Sequence, residues 1–247
     1  MNAEDLKELH EVLFYRGFGE KFNERVKAQF RAGKTEFTAE DITKIDGEDV
    51  GYRLHFKKDK DPAKDKGYFN SFDVLLLNVT DASGQPRQHN FSVDKKITAM
   101  EAYRMLKHGL LVAVNKTLFN KESQQYNTWL SIDVNGAKDQ YGNYPVKSYH
   151  QNYYKKKPFV VKDELGKFSV PVRELESVQG IEKAEKALMK ANLYPVTILW
   201  KGEEMTGSLA VNPQIGRIDL YNAGGELIDG FHNSSLVRCS SRRSDWQ

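Results

Sequence analysis

The residues with the clearest chemical potential lie together in Tyr149-His150-Gln151-Asn152-Tyr153-Tyr154-Lys155-Lys156-Lys157, where rings and amides lead into three lysines. Rings stack on unpaired bases and ammonium groups sit on phosphates, so Tyr149, Tyr153, Tyr154, Lys155, Lys156 and Lys157 form a candidate single-strand nucleic-acid site. The same stretch also reads as a strand with buried tyrosines whose basic end is solvated. Covalent catalysis has less to draw on. Gly-x-Ser-x-Gly, a Walker lysine loop and His-Glu-x-x-His are all missing, and Asn115-Lys116-Thr117 has no glycine-rich lead that would cradle a phosphate. The six histidines are scattered, none within five residues of another, so neither a metal nor any other cofactor is expected. Cys239, the single cysteine, has Arg238, Arg242 and Arg243 nearby, cations that would favour its thiolate; a free surface thiol is the plainer reading. Trp200, Ile218 and Tyr221 lie on strand-like segments, where they either accept a protein partner or pack into a core.

These residues must be positioned by elements, and periodicity indicates which. Leu6, Leu9, Val12 and Leu13 fall on one helical stripe, and Arg16-Gly17-Phe18-Gly19 interrupts it. A second helix spans Glu20 to about Ala32, with Gly33 as its C-cap. Phe37 to Asp41 reads as a short helical turn capped by Thr38. From Val50 the period becomes two: Tyr52, Leu54 and Phe56 alternate with Arg53, His55 and Lys57. Strands are expected again over Tyr68–Thr80, Gln88–Val93, Leu110–Phe119 and Tyr126–Val134. Thr98-x-x-Glu101 has capping-box spacing and opens a helix that Gly109 stops. Residues 173–192 read as a helix, followed by strands around Val196–Trp200, Gly207–Val211 and Ile218–Tyr221. The expected fold is α+β: a mainly antiparallel sheet with N-terminal helices, followed by a small helix-plus-antiparallel-sheet domain. The boundaries read as 1–155 for the first domain, 156–172 for a linker, 173–233 for the second domain and 234–247 for a frayed tail.

The chain has 247 residues, with 37 Lys plus Arg against 34 Asp plus Glu. Residues 1–50 hold 8 basic and 12 acidic side chains, and residues 51–200 hold 24 and 16, a bias well short of a dedicated DNA binder's. No apolar run approaches the ~20 residues of a membrane span. The acidic start, Met1 to Asp5, lacks a signal peptide's basic and apolar regions, so a cytoplasmic location is expected.

Several segments resemble accessory proteins, containing domains of unknown function, encoded on conjugative and mobilisable elements of gut Bacteroidetes. They are Leu13-Phe14-Tyr15-Arg16-Gly17-Phe18-Gly19-Glu20, the run from Ile97 to Leu106, Trp129-Leu130-Ser131-Ile132-Asp133, and Asn212-Pro213-Gln214. The resemblance implies a role near DNA transfer and carries over no catalytic residue. The expected function is that of a non-enzymatic accessory or regulatory protein of a mobile genetic element, acting by protein-partner binding. A single-stranded nucleic-acid binder is the alternative, and an enzyme whose site is assembled only in the fold is a third.

Overall fold

The computed structural model describes residues 2–61, 63–154, 158–200 and 202–228. Lys155, Lys156, Lys157, Cys239 and the tail from 234 lie outside the described residues.

The N-terminal helices form where the apolar stripe places them. Helix α1 (Ala3–Leu13) starts at Asn2, whose side chain accepts a hydrogen bond from the Asp5 N–H at 2.8 Å, and it buries Leu9 and Leu13. A π-helical turn over Phe14–Phe18 follows, in which Gly17 adopts φ +86°. Helix α2 (Asn23–Arg31) buries Val26 and Phe30 and ends at Gly33, φ +79°.

Four antiparallel strands follow in spatial order: β1 (Glu36–Ile45), β2 (Glu48–Lys58), β3 (Gly67–Thr80) and β4 (Pro86–Ser92). The helical turn expected at Phe37–Asp41 is instead part of β1. Phe37 and Ala39 alternate inward opposite Phe56 and Leu54, and the hairpin turns on Asp46 (φ +51°) and Gly47 (φ +82°). Two consecutive left-handed residues make the turn whose twist matches a hairpin, and this pairing overrides the local Thr38 cap signal. The inner face of the sheet packs Phe37, Tyr52, Leu54, Phe56, Phe69, Phe72 and Phe91 against the helices in a continuous core.

Helix α3 (Ala99–His108) lies on that core. Its capping box is complete: the Glu101 N–H donates to Thr98 Oγ1 and the Thr98 N–H donates to the Glu101 carboxylate. Gly109 ends it at φ +59°, ψ −132°, a conformation that L residues avoid, and a Cβ there would sit 2.6 Å from Val134 Cγ2. Gly109→Ala is therefore expected to destabilise the fold by about 1–3 kcal/mol, read as a lower urea midpoint. An unchanged midpoint would show that the turn relaxes freely. This turn also delays the strand expected from Leu110: a 3₁₀ turn occupies Gly109–Leu111 and β5 runs over Val114–Phe119.

Strand β5 pairs with β6 (Gln125–Ile132), and β6 with β7 (Val146–His150), in a second antiparallel sheet. A third sheet, ordered β10-β9-β8, comprises β8 (Tyr194–Trp200), β9 (Glu203–Asn212) and β10 (Arg217–Asn222). Helices α4 (Val161–Leu165) and α5 (Val178–Leu188) accompany it. Helix α5 begins later than residue 173 because Ser177 caps it, its hydroxyl accepting from the Gly180 N–H at 3.0 Å.

Residues 158–172 of the expected linker are built into a second apolar cluster through Val161, Leu165, Val170 and Val172, with Ala184, Leu188, Val196, Ile198 and Ile218. The Pro and Gly residues in this segment shape its turns while the apolar residues between them anchor it. Ala113 and Trp129 belong to the same cluster, whereas Ala191 packs in the first. Backbone bonds cross the seam: Asn115 N–H to Met189 O (2.9 Å) and Ala191 N–H to Ala113 O (3.1 Å). No helix among the described residues is long and apolar enough to cross a membrane.

Candidate interaction face

Strand alternation gives the first sheet two chemically different faces. The inner one is the aromatic core; the outer one carries Thr38, Glu40 and Ile42 from β1, Arg53 and His55 from β2, Ser71, Asp73, Leu75 and Leu77 from β3, and Gln88 and Asn90 from β4. Ile42 is 65% exposed, and Leu75 and Leu77 are half-buried. The charges beside them are internally paired. Arg53 Nε meets Glu40 Oε1 at 2.7 Å, and Lys57 Nζ meets Glu36 Oε2 at 3.0 Å.

At one end of this face the 138–143 segment rises beside β4 and closes a cup of about 590 Å³. His55, Asp73, Asn90, Gln85, Gln88 and Tyr141 are among its lining residues. Asp73 organises the floor. His55 Nε2 lies 2.8 Å from Asp73 Oδ2, and Asn90 Nδ2 donates to Asp73 Oδ1 at 2.7 Å and to Ser71 Oγ at 3.2 Å. The backbone N–H of Asn90 donates to Asn143 Oδ1 at 2.8 Å, which ties the 138–143 segment to the strand. Lys138 is bonded to Asp81.

None of these polar residues was singled out in the sequence as a site. His55 reads there as an isolated outward residue, and Asp73 is 18 positions away. The register joins them: His55 pairs with Ser71, so Asp73 is its diagonal neighbour on the same face. The alternation of Arg53, His55 and Lys57 was the available signal, but it gives a face without a partner.

The basic aromatic stretch is arranged differently from a simple strand. Strand β7 ends at His150, and Gln151–Tyr153 form a 3₁₀ turn. Tyr149, Tyr153 and Tyr154 contact one another edge to face, with centroids 5.4 Å apart in each successive pair, and Tyr154 leans on Phe159. The Tyr153 hydroxyl donates to Gln214 O at 3.0 Å and the Tyr154 hydroxyl to Pro213 O at 2.7 Å. Two phenols thus staple this turn to the β9–β10 connection, and burial raises the Tyr154 hydroxyl pKa. Tyr153 remains 51% exposed. Of the other expected surface, Ile218 is fully buried in the second cluster, and burial pushes Tyr221 up to about 12.

A second, more apolar cleft of about 360 Å³ lies between β4 and the β6–β7 face, bordered by His89, Phe91, Leu118, Leu130 and Ile132. His89 is 4% exposed, its Nδ1 has no hydrogen-bond partner, and burial lowers its pKa to about 4. The folded value lies below the unfolded 6.5, so protons favour the unfolded chain. Stability should therefore be full above about pH 6.5 and fall towards pH 4, with roughly 2–4 kcal/mol at stake. His89→Phe should flatten that part of the stability–pH curve; an identical slope in the variant would mean that other groups set it.

Among the described residues no group of three or more His, Cys, Asp and Glu could hold a metal ion. Comparison of the chain with protein-family models, curated proteins and solved structures gives no match.

Proposed function

We propose that this chain is a non-enzymatic accessory or regulatory protein that binds a protein partner on the outer face of its four-stranded sheet. The observation that carries this reading is the composition of that face. Ile42, Leu75 and Leu77 offer apolar area, and the adjacent Arg53 and Lys57 are already neutralised by Glu40 and Glu36, so the face suits another protein better than a polyanion. The resemblance of the segments quoted above to mobile-element accessory proteins supports a role in the maintenance or transfer of such an element, in the cytoplasm.

The test is site-specific photo-crosslinking in cells that carry the element, with the reactive group at Ile42 or Gln88 and, as control, at Lys186 on α5. One shared adduct from the two sheet positions and none from the control is expected. Equal adducts from all three positions would overturn the reading.

Half-exposed Tyr153, beside the three lysines of the sequence, supports single-stranded nucleic-acid binding as a second reading. Against it, the Tyr153 and Tyr154 hydroxyls are committed to the 213–214 carbonyls. On the first reading an oligonucleotide titration at low salt gives no binding. Affinity that falls with salt, and falls further when Lys155, Lys156 and Lys157 are replaced together by Ala, would put the second reading in place of the first. The His55–Asp73 pair is what the third reading, an enzyme, would use; among the described residues no hydroxyl or thiol is hydrogen-bonded to His55.

A further inference from the structure

We infer that the cup bounded by His55, Asp73, Gln85, Gln88, Asn90 and Tyr141 is a binding site for a neutral saccharide. Its chemistry separates it from an anion or nucleotide site. The lysine that lines it, Lys138, is spent on Asp81, and two basic side chains of β2, Arg53 and Lys57, are spent on Glu40 and Glu36. What the cup offers is hydrogen bonding without a free cation. The Gln85 and Gln88 side-chain amides have no partner among the described residues, and the Asn90 amide donates twice and leaves its oxygen as an acceptor. His55 uses Nε2 on Asp73 and leaves Nδ1 over.

A hydroxyl group both donates and accepts, so it satisfies an amide N–H, an amide oxygen or an imidazole nitrogen in either protonation state. A carboxylate or phosphate only accepts, and finds no uncommitted cation here to offset its charge, with the Asp73 carboxylate in the floor to repel it. Vicinal hydroxyls match planar side-chain groups held in fixed orientation, and Asp73 fixes two of them, His55 and Asn90, before any ligand arrives. The apolar faces of a pyranose need apolar contact as well. Tyr141, 79% exposed at the mouth, supplies a ring, and Leu75 and Pro86 supply aliphatic surface. A volume of about 590 Å³ is in the range of small-ligand pockets and admits a mono- or disaccharide. The cup shares Leu75 and Gln88 with the proposed partner face, so its test uses the isolated chain, where sugar binding does not depend on whether a partner exists.

The experiment is ligand-observed NMR on the full chain with glucose, N-acetylglucosamine, maltose, cellobiose and lactose, repeated on Gln88→Ala and Tyr141→Ala. The Gln88 and Tyr141 side chains are exposed and make no hydrogen bond among the described residues, so both variants keep the fold, which circular dichroism verifies. At least one saccharide should bind saturably, with an affinity that salt leaves unchanged. Each variant should weaken it by about three- to tenfold, the loss expected for one hydrogen-bonding or stacking partner. Failure of all five sugars at tens of millimolar would overturn the assignment, as would binding that both variants retain. Lysine methyl ester serves as the competing probe; its binding in place of the sugars would make the cup a cation site built on Asp73.

Discussion

Phe72→Ala should lower the stability of the chain by about 3–5 kcal/mol, because it empties the centre of an aromatic cluster that its neighbours hold from several sides. Phe72 is fully buried, stacked on Phe91 at 5.5 Å and edge-on to Phe18 at 5.2 Å. Phe18 also contacts Phe22, Tyr52 and Phe69, so helix and sheet share the same rings and the cavity has few ways to collapse. The measurement is the urea midpoint at unchanged slope. The exposed Tyr141→Ala serves as reference and should stay within about 0.5 kcal/mol. Equal midpoints for the two variants would mean that the aromatic cluster does not hold the fold.

Glu101→Ala should cost a comparable amount, about 3–5 kcal/mol, for an electrostatic reason. Glu101 is 5% exposed; its Oε2 takes Lys116 Nζ at 2.6 Å and the Thr98 N–H at 2.8 Å. Removing the carboxylate leaves the largely buried Lys116 ammonium uncompensated and opens the capping box of α3. Replacing both partners, Glu101→Gln with Lys116→Met, should restore most of the loss, since a neutral pair leaves no buried charge and the glutamine oxygen can still accept from Thr98. A double variant as unstable as the sum of its single variants would refute this account, because no coupling would then remain.

The helix introduced by Thr98-x-x-Glu101 was legible because its signal is local: cap, apolar stripe and stop lie within a dozen residues. Strands β2 and β4 were legible for a similar reason, since alternation at period two needs no knowledge of the partner strand; β3 was legible from the continuous apolar run Val74-Leu75-Leu76-Leu77, which reads as a strand covered on both faces, whereas Leu75 and Leu77 lie half-buried on the outer face. The α+β class followed from the order of those elements. Strand β1 was misread as helical because Thr38 offers a cap signal on the spot, whereas the hairpin that decides the matter depends on Asp46-Gly47 and on pairing with residues up to Lys57. Residues 158–172 read as a linker because their apolar residues follow no single period. They bury because the third sheet presents Ile198 and Ile218 to them.

By itself, then, the sequence determined the class of those segments whose signal is local, the apolar face of each, and where the charges lie, but not β1 or the helix at Val161–Leu165. Tertiary structure alone decided which faces meet. His55 and Asp73, 18 positions apart, become one hydrogen-bonded pair through register. Tyr153 and Tyr154 spend their hydroxyls on carbonyls 61 and 59 positions away. The physical reason is one of range: periodicity and capping act within a few residues, whereas a polar side chain's partner is set by strand pairing and packing, which close loops of many residues at a cost that only the whole core repays.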